Sequence, residues 1–194
     1  IDYNGLPVLP MTIERSIAVV TRARPDGHVR IQNADPSFQA EEFLNVRGLP
    51  PSVQGSWINY CKSAIEGVNS HYNVESFPGM DLLFSGTIPP AAGLSSSSAL
   101  VVATALVYLR VLGQPVDTEA RRVELAALLA HAERYVGVHG GGMDQAIILL
   151  GSQGCACKID FFPLRVERVP VFDDYVFVVC NSLVMADKSG SAVH

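Results

Sequence analysis

The chain has 194 residues, 48% of them hydrophobic and 17% charged, enough apolar content for a sizeable core and far from the composition of a disordered segment. Its formal charge of −5 excludes binding through a dense field of Lys and Arg, as nucleic acid requires. Any phosphate held here must be met by backbone amides and a metal ion, with lysines in a smaller part.

Strands are predicted over Leu9–Val20 and His28–Asn33, rich in Ile and Val, with Arg24-Pro25-Asp26-Gly27 as a hairpin turn between them. Residues 36–51 read as loop. Trp57, Tyr60, Cys61, Ala64, Ile65 and Val68 fall at helical spacing and predict a helix that ends near Gly67 and Asn69. Asp81–Ser85 reads as a strand, and a Pro-rich turn then leads into an apolar helix over Ser97–Leu112, stopped by Gly113 and Pro115. Helices over Glu119–Tyr135 and Asp144–Leu150 follow. Branched and aromatic residues then predict strands at Cys155–Phe162, Val166–Val169 and Tyr175–Cys180. No repeat or linker divides the sequence, so residues 1–194 read as one α+β domain. Four cysteines make no disulfide framework, no apolar run is long enough to cross a bilayer, and the chain does not open on a secretory leader. These features predict a cytoplasmic, soluble protein with reduced thiols.

The segment Ile88-Pro89-Pro90-Ala91-Ala92-Gly93-Leu94-Ser95-Ser96-Ser97-Ser98-Ala99-Leu100 has the chemistry of a phosphate loop. Small residues let backbone approach a ligand, Gly93 permits an unusual φ, and the serines can cap the helix that begins there. The unpaired N–H groups and positive dipole end of that helix suit a phosphate. Composition alone would allow a flexible Ser-rich linker. A linker does not run straight into a long apolar helix, and the Gly-Lys-Ser/Thr ending of a Walker loop is lacking. The motif resembles the nucleotide-phosphate motif of the GHMP kinases. That resemblance implies an ATP site built from Gly93, Leu94, Ser95, Ser96, Ser97 and Ser98.

A second constellation is Glu133-Arg134-Tyr135-Val136-Gly137-Val138-His139-Gly140-Gly141-Gly142-Met143-Asp144-Gln145. Three consecutive glycines admit a ligand close to the backbone, while Asp144 taken alone reads as a helix N-cap. Gly-Gly-Met-Asp-Gln resembles the galactokinase segment in which an aspartate faces the C1 hydroxyl of the sugar. The resemblance implies Asp144 as catalytic base and Gly141 as a backbone contact to the sugar. Ser97 and Glu133 match family positions that hold Mg²⁺, although Glu133 by itself reads as an ordinary helix-face carboxylate. His139 has no partner at metal-ligand spacing and reads as a loop residue near the sugar pocket.

At the start of the chain, Ile1-Asp2-Tyr3-Asn4-Gly5 resembles the end of the galactokinase signature, which makes Asp2 the match for its sugar-binding aspartate. The glutamate, histidine and arginine that precede it in the family lie upstream of Ile1. Trp57-Ile58-Asn59-Tyr60 resembles the Trp-x-Asn-Tyr of the family, whose aromatics lie by the adenine, although Tyr60 also fits the buried face of a helix.

The resemblance implies the GHMP kinase N-terminal fold (ribosomal protein S5 domain 2-like), with the second, C-terminal lobe absent from this chain. The chain opens at Ile1 without a methionine and stops at His194, so it reads as a fragment, inactive or nearly so alone. The activity implied is transfer of the ATP γ-phosphoryl group to the C1 hydroxyl of galactose, with ATP and Mg²⁺ as cofactors, a small sugar as substrate, and neither nucleic acid nor a membrane as partner. N-acetylgalactosamine is the alternative acceptor, because Gly140-Gly141-Gly142 is lean. A non-catalytic sensor that binds galactose and ATP, and a purely structural α+β domain, are the readings from other classes.

Overall fold

The computed structural model describes residues 2–137, 139–172, 174, 176–178 and 180. The strands are β1 (Ile17–Arg24), β2 (His28–Asn33), β3 (Glu41–Leu44), β4 (Gly79–Gly86), β5 (Cys155–Asp160) and β6 (Arg165–Pro170). The helices are α1 (Ile58–His71), α2 (Ser96–Val111), α3 (Glu119–Ala132) and α4 (Met143–Leu150), with 3-10 turns at Asp2–Asn4 and Glu133–Val136. The architecture is α+β, as composition and element order predict.

A four-stranded sheet has the order β1-β4-β2-β3. β4 runs antiparallel to β1 and parallel to β2, with Val29 opposite Met80 and Val20 opposite Leu83. The turn at residues 24–27 therefore does not close a hairpin: β1 and β2 both pair with β4, which lies between them. Glycine at the head of β4 is what permits this insertion. A Cβ at Gly79 would sit on the His28 carbonyl oxygen and 2.6 Å from the His28 nitrogen.

One sheet face is solvated and the other carries the core. Val29, Ile31, Met80, Leu82 and Phe84 alternate along β2 and β4 toward the buried side, where Ile65 and Val68 of α1 and Val101, Ala105 and Leu109 of α2 cover them. α3 and α4 form the layer behind, through Leu125, Leu129, Ala146 and Leu150. α1 does not end at Gly67 but continues to His71. A Cβ at Gly67 would lie 2.8 Å from the Ala132 Cβ, so this glycine marks the close crossing of α1 and α3 and not a helix stop.

β3 lies where a loop is predicted. Two glutamates obscure it, and they are there because β3 is an edge strand: Glu42 pairs with Arg30 across the solvated face at 2.9 Å. The predicted first strand is split in two. Residues 8–11 bridge to β5, with Val8 and Ile159 exchanging backbone hydrogen bonds of 3.0 and 2.9 Å, and β1 begins only at Ile17. Pro10 has no N–H to donate to a ladder, and the polar stretch 12–16 separates the two sheets. The strand predicted at Tyr175–Cys180 falls partly outside the described residues, and Val176, Phe177, Val178 and Cys180 carry no regular structure. Among the described residues no helix is long and apolar enough to cross a membrane.

Candidate active site

The loop before α2 is held in an uncommon backbone. Gly93 has φ +73°, and Ala91 and Ser95 also adopt left-handed conformations, with φ +54° and +57°. Ser95 precedes the helix but does not cap it through its side chain, contrary to the sequence reading. A capping residue normally has extended φ and ψ, which aim its hydroxyl back at the first turn, and a left-handed one does not. The first-turn amides of α2 are thus left without a side-chain cap, at the positive end of a 16-residue helix.

These amides open onto a cleft of about 670 Å³. Gly93, Ser95, Ser96 and Ser97 line one side, Trp57 and Tyr60 of α1 another, and Phe84, Ser85 and Gly86 of β4 lie between them. Leu94 is half-buried beside the cleft but is not part of its lining. The Trp57 indole is edge-on to Phe38 and Phe84, with ring centroids 6.0 and 5.7 Å away, and its N–H donates to the Gln39 carbonyl at 3.0 Å. Tyr60 is half-buried on the cleft wall. Burial first, and the charge of Glu133 second, push its phenol above the ordinary value.

Sequence reasoning passed over Asn33, Asp35, Ser37 and Phe38, which also line the cleft. The side chains of Asn33 and Asp35 accept from the backbone N–H groups two residues on, at 2.9 Å each. Hydrogen bonds from the Ser37 backbone and hydroxyl hold the Asp35 carboxyl below its usual range. Their signal is a polar turn at the end of a strand that points into the cleft.

The fourth serine turns the other way. Ser98 is 2% exposed, and its hydroxyl donates to Glu133 Oε1 at 2.7 Å. Gln145 Nε2 reaches the same hydroxyl at 3.4 Å, so a buried chain of polar groups ties the starts of α2 and α4 to the end of α3. Glu133 is 5% exposed and stands where α3 tightens into a 3-10 turn. The bond from the serine run to Glu133 is thus made by Ser98, while Ser97 faces the cleft. Among the described residues no group of three or more His, Cys, Asp or Glu side chains gathers as a metal cage. The Glu133 carboxylate is bonded by Ser98, the chain neighbour of the cleft-facing Ser97, and hydroxyl and carboxylate oxygens are the hard donors that suit Mg²⁺.

Asp144 lies in the first turn of α4 and is not its cap, because Gly142 occupies that position with φ +96°. A Cβ on Gly142 would come within 3.0 Å of Ala130, so glycine is needed for both φ and space. The Asp144 carboxylate is half-buried and makes no hydrogen bond or ion pair among the described residues. Asp2, 142 positions earlier in the chain, comes to the same place: its Oδ2 accepts the Met143 N–H at 3.1 Å. The N-terminal segment is laid against β5 to deliver it. Gly141 lines a separate pocket of about 290 Å³ with Gly140, Gly142 and the 161–164 turn, and neither Asp2 nor Asp144 lines that pocket. His139 is exposed.

Residues 59–152 match the family model of the GHMP kinase N-terminal domain. The chain is 32% identical to a galactokinase of Schizosaccharomyces pombe, over 100% of this chain and 40% of that protein. It is 34% identical to a galactokinase of Candida maltosa, over 78% of this chain and 71% of that protein. Among solved structures, a Lactococcus lactis galactokinase in complex with galactose superimposes with a TM-score of 0.78 at 31% identity, over 88% of this chain and 43% of that one. The chain thus spans about two fifths of the length of the S. pombe and L. lactis proteins.

Proposed function

The chain belongs to the galactokinase group of the GHMP kinases, and from that membership we propose that it forms the nucleotide- and sugar-binding half of a sugar 1-kinase, which transfers the γ-phosphoryl group of ATP to the C1 hydroxyl of galactose. One observation carries the reading: Asp144, a carboxylate with no hydrogen bond or ion pair among the described residues, stands at the start of α4, and Gln145, Ser98 and Glu133 lock that start to the uncapped amides of α2. A base and a phosphate cradle share one rigid frame.

In this reading the adenine lies against Trp57 and Tyr60, and the phosphates lie on the backbone of Gly93–Ser98. Asn33 and Asp35 face the nucleoside. Asp144 orients the attacking hydroxyl and accepts its proton, and Asp2 fixes the sugar beside it. Ser97 and Glu133 would hold Mg²⁺, which when bound neutralises charge on the transferring phosphoryl group. Ser98 keeps the Glu133 carboxylate in one rotamer toward that position.

N-acetylgalactosamine is the second acceptor to consider, because a Cβ at Gly140 would meet nothing within 4 Å, which leaves open space at that one position of the glycine run. The test follows ADP release by the full-length gene product with ATP, Mg²⁺ and each sugar in turn. Turnover with either hexose supports the kinase and names its acceptor. Tight binding of ATP and sugar without turnover identifies a sensor, and no nucleotide binding leaves a structural domain.

A further inference from the structure

The cleft wall that carries Trp57 is anchored by a polar ladder which the phosphate loop and the carboxylates do not use. Asn59, Lys62 and Glu66 fall three and four residues apart on one stripe of α1, and each holds the next part of segment 48–53. Glu66 Oε2 accepts from the N–H groups of Gly48 and Leu49 at 3.1 and 3.2 Å. Lys62 Nζ donates to the Pro50 carbonyl at 3.2 Å. Asn59 accepts from the Ser52 N–H at 2.7 Å and donates to the Val53 carbonyl at 3.1 Å.

Lys62 does more than its neighbours. Its side chain is only 5% exposed, its ammonium lies 2.8 Å from Glu41 Oε1, and it sits 4.6 Å from the centre of the Phe43 ring. A lysine so far from water is kept where its charge is met on several sides. Glu41 opens β3 and also accepts the Ser52 hydroxyl. Two residues before it is Gln39, whose carbonyl takes the Trp57 indole N–H at 3.0 Å. An indole has one donor, so this bond selects its ring orientation.

Resting on the reading of the cleft as an ATP site, we propose that Lys62 is a positioning residue for nucleotide binding: by holding Glu41 it fixes the Gln39 carbonyl, and that carbonyl fixes the Trp57 indole against the base. The ladder as a whole shapes the rim of the cleft, where Gly55 and Trp57 line it directly. Lys62 touches neither substrate and leaves the phosphate and sugar ends alone. Its loss acts on affinity for the nucleotide.

The test uses the full-length protein and measures ATP dissociation constants, both KM values and kcat for Lys62→Met, Lys62→Arg, Trp57→Ala and the Lys62→Met/Trp57→Ala pair. Lys62→Met should weaken ATP binding by roughly five- to tenfold, with kcat at saturating ATP and the sugar KM changed by less than about twofold, and Lys62→Arg should recover most of the loss. On the Trp57→Ala background the same change should have less than about a twofold effect. Glu41→Gln tests the same link should Lys62→Met fail to fold. ATP affinity unchanged in Lys62→Met, or an equal loss with and without Trp57, overturns the assignment while the ATP site stands. A wild-type protein that binds no ATP takes down the assignment and the site together.

Discussion

The buried polar residues divide into those that build the site and those that hold the layers together. Tyr108, Asn45 and Asn69 belong to the second kind: the Tyr108 hydroxyl donates to Asn69 at 2.6 Å and accepts from Asn45 at 3.0 Å, and Asn69 donates to Asn45 at 3.2 Å. Tyr108→Phe leaves two buried amides short of a partner, and a loss of about 1–3 kcal/mol is expected in denaturant unfolding. Glu41 adds a pH signature. Burial raises its pKa, but hydrogen bonds from Lys62 and Ser52 outweigh burial and leave the carboxyl below its ordinary 4.5. A depressed folded value means that the pair stabilises the fold fully above about 4.5, and that this stability is lost as pH falls through the folded value. Unfolding curves followed from neutral pH down through the carboxylate range, about 1.5 units below the ordinary 4.5, should therefore show a shallower acid slope in Glu41→Gln. At this scale the sequence reading named Asp144, Asp2, Glu133, Trp57 and the serines, because motifs carry residue types at fixed spacing. It gave Ser98 the same role as its neighbours, because the rotation of α2 that turns Ser98 to Glu133 and Ser97 to the cleft is a matter of packing.

Helices were legible where caps and apolar spacing mark them, and strands where pairing is not needed to recognise them. β2 has the bounds that its Ile and Val pattern predicts, and α2 differs by one residue at each end. The pairing of β1 and β2 was not legible, since the turn at 24–27 has hairpin chemistry while the partner of both strands lies some fifty residues on, a separation that local pattern cannot encode. Gly79 is the residue that decides it. Gly79→Ala places a methyl on the His28 backbone, and a loss of roughly 1–3 kcal/mol is expected from the strain. Thermal unfolding measures it, and an unchanged midpoint would show that β4 can back away freely. Gly67 misled in the same manner, because a glycine suits a helix stop and a close helix crossing equally well, and the crossing with Ala132 is visible only once α3 is in place.

For the whole molecule, the site is assembled from segments far apart in the chain. Asp2 comes from the first residues, Trp57 and Tyr60 from α1, the phosphate loop from before α2 and Asp144 from the start of α4, and the two sheets exist in part to bring these ends together. The chain spans about two fifths of the S. pombe and L. lactis galactokinases, and in the proposed reading it contributes the cradle, the base and one sugar contact. The central claim is that Asp144 acts on the sugar hydroxyl while the α2 amides hold ATP, two jobs on one frame. The most direct test compares Asp144→Asn with wild type in the full-length protein, measuring ATP dissociation constant and kcat together. The expected result is ATP affinity within about twofold of wild type and kcat lowered by roughly 10²- to 10⁴-fold, the usual worth of a positioned base. A kcat within about threefold of wild type, or ATP binding lost together with turnover, would contradict the assignment of Asp144 as the base.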